Sequence, residues 1–206
     1  MFISFEGLDG CGKTTQINLL AEKLKSLAYD VVFVREPGGT IVSERIREIL
    51  LDTKHLGMNQ IAELLLFSAA RAQLVNEVIK PALAQSKMVL CDRYVDSTTA
   101  YQGYGRGLRL GAVKTINAVA TLGIMPQLTF MIDLPPEESK RRKHETGTDA
   151  DRMELSGHAF YEQVRGGYFE MATAEPQRFK IIDGTQQIDE IHDRIWDIIS
   201  ERLPHQ

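Results

Sequence analysis

The stretch Gly7-Leu-Asp-Gly-Cys-Gly-Lys-Thr14 carries an uninterrupted G-x-x-x-x-G-K-[ST] pattern, set between Met1-Phe-Ile-Ser-Phe5 and an amphipathic segment. A short apolar strand, a glycine-rich turn and a helix start make the geometry in which backbone N–H groups and a helix N-terminus surround a polyphosphate. Gly7, Gly10 and Gly12 remove the Cβ atoms that would block close approach of the backbone. Lys13 can then reach the outer phosphate oxygens as a point charge, and the Thr14 hydroxyl can join the shell of a magnesium ion. Gly7, Leu8, Asp9, Gly10, Cys11, Gly12, Lys13 and Thr14 are therefore expected to hold the phosphates of a nucleotide.

Outward from this loop the chain alternates short β-rich runs with longer helical patterns. Phe2–Phe5, Val31–Val34, Met88–Cys91, Leu128–Asp133 and Phe179–Asp183 read as strands, mostly apolar, as a parallel sheet buried on both faces requires. Helical spacing is predicted over Thr15–Ala28, Ser43–Leu51, Asn59–Gln85, Gly111–Leu122, Pro136–Lys143, Phe160–Glu175 and Ile188–Leu203, with Pro81 expected to kink or split the third. Apolar stripes run through Ile17, Leu20, Leu24 and Leu27, and through Ile188, Ile191, Ile195 and Ile198. The order predicts an α/β three-layer sandwich, a five-stranded parallel sheet flanked by helices, with ligands beyond the carboxyl ends of the strands.

The 206 residues fit a single domain with no linker, repeat or low-complexity break. A formal net charge of −4, from 24 basic and 28 acidic residues, argues against a nucleic-acid or anionic-membrane binder. No apolar run approaches about 18 residues and no charged-then-apolar leader is present, so a cytoplasmic protein is expected. The two cysteines, Cys11 and Cys91, suit a reducing compartment and read first as small residues in tight space. Cys11 carries a further expectation, a thiolate favoured by the helix N-terminus.

A second anion site, distinct from the phosphate loop, is indicated at the same carboxyl edge of the sheet. The third strand runs into Asp92-Arg93-Tyr94, delivering a carboxylate that can hold magnesium opposite Thr14, or alternatively cap a helix. Arg93 beside it is costly to bury unless it meets an anion or Asp92. Arg35-Glu-Pro-Gly-Gly-Thr40 sets a rigid turn before Ser43-Glu-Arg-Ile-Arg47, where Arg45 and Arg47 lie on different helix faces and only one faces the cleft. Two phosphate sites in one small domain suggest phosphoryl transfer between nucleotides rather than hydrolysis.

Through FEGLDGCGKTT, REPGGT, LLFSAARAQ, DRYVDSTTAYQGYGRGL, DADRME and IIDG the chain resembles the thymidylate kinase family, P-loop nucleoside monophosphate kinases. The resemblance covers nearly the whole chain. It implies transfer from ATP to dTMP with magnesium in dTTP synthesis, a homodimer, and ATP in the loop of residues 7–14. It implies that Arg47 and Arg93 bind the dTMP phosphate, with Arg35 and Pro37 shaping that pocket, that Phe67 stacks on thymine and that Arg71 reaches its carbonyl edge. Phe67 and Arg71 lie four apart on one helix and so share a face, the alternative being a core phenylalanine and a solvated arginine. Ser97 and Tyr101, and Thr98 and Gln102, are similarly spaced; Gln102 offers donor and acceptor to an imide edge. Tyr101 resembles the residue packed under the sugar, or is a plain core contact. Asp9 resembles the loop carboxylate near the acceptor sugar and the metal waters, or is a turn residue. Position 10 is Gly where one branch of the family has an arginine, so the cation for the transition state is expected from a lid of about residues 136–156, with Arg142 and Arg152 matching best. An arginine common before the lid glycine is Thr146 here. No N-K-x-D motif supports a guanine-nucleotide switch; a kinase of another monophosphate and a non-catalytic sensor are the remaining alternatives.

Overall fold

The structure, a computed structural model, describes residues 1–145, 147 and 151–203. Strands β1 Phe2–Glu6, β2 Val31–Arg35, β3 Met88–Asp92, β4 Leu128–Asp133 and β5 Phe179–Asp183 form one parallel sheet in the order β2-β3-β1-β4-β5. Each expected strand is present. Three extend one residue further than predicted, adding Glu6, Arg35 and Asp92 at their carboxyl ends, where the site is assembled. The phosphate-loop strand β1 lies at the centre between β3 and β4, and its register sets Phe5 beside Asp92. Burial on both faces holds for β1 and β3, while the outer strands leave Phe33 46% and Ile181 41% exposed.

Helix α1 Lys13–Ser26 starts two residues earlier than predicted, because Gly12 at φ 95° supplies the left-handed entry from the loop. It buries Ile17, Leu20 and Leu24; Leu27 lies past its end. Helix α2 Ile41–Leu51 is capped by Thr40, whose hydroxyl accepts from the Ser43 N–H. The long predicted helix is α3 Gln60–Leu74, a π-helical turn Val75–Ile79, and α4 Lys80–Ala84. The wide turn immediately precedes Pro81, which lies in the first turn of α4, and the chain carries on instead of breaking. After α5 Val95–Thr98, a second π-helical turn, Thr99–Gly105, continues the segment that carries Ser97, Tyr101 and Gln102.

The remaining helices are α6 Leu110–Thr121, α7 Pro136–Glu145, α8 His158–Ala174 and α9 Ile188–Ser200. Helix α9 buries Ile191, Ile195 and Ile199 rather than the predicted stripe ending at Ile198; Ile188, at its first turn, is exposed. Helices α1 and α9 share one apolar cluster with Ile3, Phe5, Leu90 and Phe130, and the opposite face of the sheet packs Phe2 and Val89 against Leu74, Val75 and Ile79. Of the expected lid, Thr146, Thr148, Asp149 and Ala150 lie outside the described residues. Among the described residues no helix is long and apolar enough to cross a membrane.

Candidate active site

The phosphate loop departs from β1 through Gly7 at φ 129° and Gly10 at φ 74°, backbone states that only glycine adopts freely. Lys13 folds back over the loop, its Nζ donating to the Leu8 carbonyl at 2.8 Å and the Gly7 carbonyl at 3.3 Å. The Thr14 hydroxyl donates to Asp92 Oδ2 at 2.9 Å. Asp92 is therefore not a helix cap: it ends β3 and sets a carboxylate against the hydroxyl, an all-oxygen donor pair that fits magnesium. Helix α7 packs against the back of the loop, with Ser139 Oγ donating to the Asp9 carbonyl at 2.5 Å. A Cβ at position 10 would come within 3.1 Å of the Ser139 carbonyl and 3.4 Å of Arg142 Cβ, which gives a packing reason for Gly10. Arg142 thus lies beside the loop, where it donates to Glu138 at 2.9 Å and to the Gly184 carbonyl at 3.1 Å.

Next to the loop opens a cavity whose wall includes Pro37, Arg47, Phe67, Arg71, Arg93, Ser97, Tyr101 and Gln102; Arg35, expected to shape the same pocket, is not in this wall and pairs with Glu44 at 3.0 Å. Asp9 lines it too, joining the two halves. Arg93 takes a left-handed backbone (φ 68°), donates to Asp9 Oδ1 at 2.8 Å and to Ser97 Oγ at 3.1 Å, and lies over the Tyr101 ring at 5.2 Å. Burial works against ionising Asp9, but Arg93 and Lys13 outweigh it and hold its carboxyl down at about 2. Arg47 is the cleft-facing member of its pair, donating to the Pro37 carbonyl at 3.0 Å, while Arg45 pairs with Glu48 at the surface. Burial and then the neighbouring Arg35 lower the Arg47 pKa, the state of a cation that an anionic ligand would stabilise.

Arg71 is not solvated. At 2% exposure it donates to Glu36 Oε2 (2.7 Å), Asn117 Oδ1 (3.0 Å), the Tyr94 carbonyl (3.2 Å) and Thr98 Oγ1 (2.8 Å). Phe67, one turn earlier, lines the same cavity. Tyr101 meets Phe160 edge-on at 6.0 Å and has the Arg93 guanidinium over its ring at 5.2 Å. It is both core contact and cavity wall.

Two expectations change. Cys11 and Cys91 are buried, and burial raises both thiols above their ordinary value, further than Lys13 and Arg93 can offset at Cys11, so Cys11 is no stabilised thiolate. Arg152 does not face the phosphate loop here. It is 4% exposed and directed at Glu63 Oε2 (2.6 Å) and the Leu50 carbonyl (2.6 Å), because the buried Glu63 carboxylate is the nearer counter-charge.

The sequence reading missed three buried carboxylates that organise the site. Glu36 holds Arg71 and has a second oxygen without a partner among the described residues. Glu63 holds Arg152, Arg106 and Gln102. Glu6 accepts from the Tyr94 N–H (2.8 Å), Ser97 Oγ (2.5 Å) and Tyr168 Oη (2.9 Å). A signal existed for Glu63, which stands four and eight residues before Phe67 and Arg71 on one stripe of α3. Asp151 also lines the cavity.

This arrangement, a loop for one polyphosphate joined through Asp9 and Arg93 to a cationic cavity with an aromatic wall, suits phosphoryl transfer to a nucleoside monophosphate. Comparison with known proteins agrees. Residues 5–195 match the family model described as thymidylate kinase. The chain is 48% identical over 202 residues to a thymidylate kinase of Caldanaerobacter subterraneus subsp. tengcongensis, covering 98% of this chain and 96% of that one. It is 49% identical to a thymidylate kinase of Chlorobium luteolum, with both chains covered completely. The crystal structure of thymidylate kinase from Ehrlichia chaffeensis superposes with a TM-score of 0.80 at 36% identity, covering 97% of this chain and 98% of that one. By sequence over its full length and by fold, the chain belongs to the thymidylate kinase family.

Proposed function

We propose that this protein transfers the γ-phosphoryl group of ATP to dTMP, forming dTDP for dTTP synthesis. The observation that carries the reading is the Asp9–Arg93 pair, 2.8 Å apart, which belongs at once to the phosphate loop and to the wall of the acceptor cavity. A monophosphate at neutral pH is largely dianionic and attacks without a general base, so catalysis reduces to positioning and charge stabilisation. Residues 7–14 cradle the ATP phosphates once Lys13 leaves the Leu8 carbonyl. Arg93 and Arg47 hold the acceptor phosphate. Phe67, Arg71 and Gln102 form the base pocket, while Ser97, Tyr101 and Pro37 enclose the remainder. Thr14 and Asp92 would hold magnesium, whose charge neutralises the donor phosphates when bound.

Residues of about 136–156 act as a lid within a single kinase domain. Arg142 reaches the transferring group by exchanging Glu138 and the Gly184 carbonyl for a phosphate; Arg152 must first leave Glu63. The protein works in the cytoplasm as a homodimer, on small-molecule substrates rather than on nucleic acid or membrane. ADP production with ATP and magnesium, comparing dTMP with dUMP, dCMP, AMP, GMP and no acceptor, tests the reading. Strong preference for dTMP is expected; preference for another monophosphate would discard the base pocket, and no acceptor dependence would discard the kinase assignment.

A further inference from the structure

The base pocket contains a device that fixes which way an amide points. Gln102 is 1% exposed, lines the cavity and donates its Nε2 to Glu63 Oε1 at 2.9 Å. Glu63, also 1% exposed, is charged: burial works to raise its pKa, but hydrogen bonds from Arg106, Gln102 and Arg152, with the Arg106 charge, hold it below its ordinary value. Arg106 donates to both carboxylate oxygens at 3.2 and 3.3 Å, and Arg152 to Oε2 at 2.6 Å. An ionised carboxylate has acceptors only. The reversed amide would set Gln102 Oε1 against Glu63 Oε1, two buried acceptors with no proton between them, an arrangement that is costly away from water. Gln102 is thus held with its nitrogen toward Glu63, leaving its oxygen and second N–H for the cavity.

Resting on the dTMP kinase reading above, we propose that Glu63 is a positioning residue that selects pyrimidines bearing an imide N–H over cytosine. Thymine and uracil present a donor at N3 beside an acceptor at O4; cytosine presents an acceptor at N3 beside an amino donor. A glutamine amide can read either edge by turning over, since it carries one donor face and one acceptor face. Free to turn, Gln102 discriminates poorly. Pinned by Glu63, it offers its oxygen to the imide N–H and meets the cytosine N3 lone pair with another lone pair. Discrimination of this kind arises from the arrangement that is forbidden as much as from the one that is favoured.

Glu63→Gln tests this, because glutamine at 63 can present either a donor or an acceptor and releases the constraint on Gln102. In the purified full-length protein, the ratio of kcat/KM for dTMP to that for dCMP is expected to fall by about tenfold or more, with the dTMP to dUMP ratio unchanged. In a Gln102→Leu background the same substitution is expected to leave the dTMP to dCMP ratio where it was. The double variant Glu63→Gln with Arg106→Met withdraws one cation together with the carboxylate, and repeats the test should the single variant fold poorly. A Glu63→Gln enzyme that loses efficiency equally toward dTMP and dCMP would overturn the proposal and leave Glu63 a structural residue. If the unaltered protein shows no preference for dTMP, the kinase reading itself fails, which is a separate result.

Discussion

Arg93 is the residue on which the two halves of the site depend. Its left-handed backbone is a state that costs on the order of 1 kcal/mol or more outside glycine, and it is held there by Asp9 and Ser97. Arg93→Ala removes the cation between donor loop and acceptor cavity, and kcat/KM for dTMP is expected to drop by roughly a hundred- to a thousandfold. Near-normal turnover by that variant in the ADP assay would sink the assignment. Glu6 makes the opposite kind of prediction, about pH. Burial first and the Asp96 carboxylate second push its carboxyl up to about 7, against hydrogen bonds from Ser97 and Tyr94 and the Arg93 charge. Between its ordinary value of 4.5 and about 7 the folded protein keeps a proton that the unfolded chain has lost, so stability from this group falls as pH rises through that window. Asp9, depressed to about 2, acts in the other direction: its contribution is present above 3.8 and lost as pH falls through about 2. Urea midpoints at about pH 5 and about pH 8 are expected to lie closer together in Glu6→Gln than in the unaltered protein; an unchanged gap would refute this account of Glu6.

At the scale of elements, much was legible because each strand and helix repeats its signal over many residues. Ile17, Leu20 and Leu24 announce α1, and the apolar runs ending in Asp92 and Asp133 announce β3 and β4. The π-helical turns at Val75–Ile79 and Thr99–Gly105 carry no such signal, since one inserted backbone position leaves composition untouched. Glu36 was silent for a related reason: a single glutamate reads as a solvated residue until the fold shows which cation faces it. Arg152 was legible as a cation near the site, but its buried carboxylate partner lies 89 positions away in sequence. The loop joining β1 to α1 is the most constrained of these junctions. A Cβ at Gly7 would approach the Ile132 carbonyl to 2.4 Å and Cys11 Sγ to 2.9 Å, at φ 129°. Gly7→Ala must therefore move β4 or refold the loop, and is expected to destabilise by roughly 2–4 kcal/mol and abolish ATP binding. Thermal denaturation with and without ATP reads both effects; an unshifted midpoint with normal stabilisation by ATP would contradict the geometry.

Across the whole molecule, the apolar surface exceeds what this chain buries. Helix α3 turns Leu64, Ala70 and Leu74 inward, yet Ile61 and Leu65, one turn apart, stand 56% and 50% exposed on another face. The helices packed against it add Val42 and Ile49 on α2 and Val119 on α6. Single exposed apolar residues are ordinary, but a run of them over three adjoining helices is the pattern of a surface that a partner covers. A second copy is the simplest occupant, because a two-fold axis lets one patch meet itself and close the assembly. The same helix carries Glu63, Phe67 and Arg71, so pairing through α3 would brace the base pocket from behind. Sedimentation equilibrium at micromolar concentration is therefore expected to give twice the 23.2 kDa of one chain. Leu65→Glu puts a charge into this exposed apolar face of each copy and is expected to shift the protein toward monomer while raising KM for dTMP, since the pocket then rests on an unsupported helix. A species of 23.2 kDa in the unaltered protein would remove the dimer, and a monomeric Leu65→Glu enzyme with unchanged KM would separate assembly from the pocket.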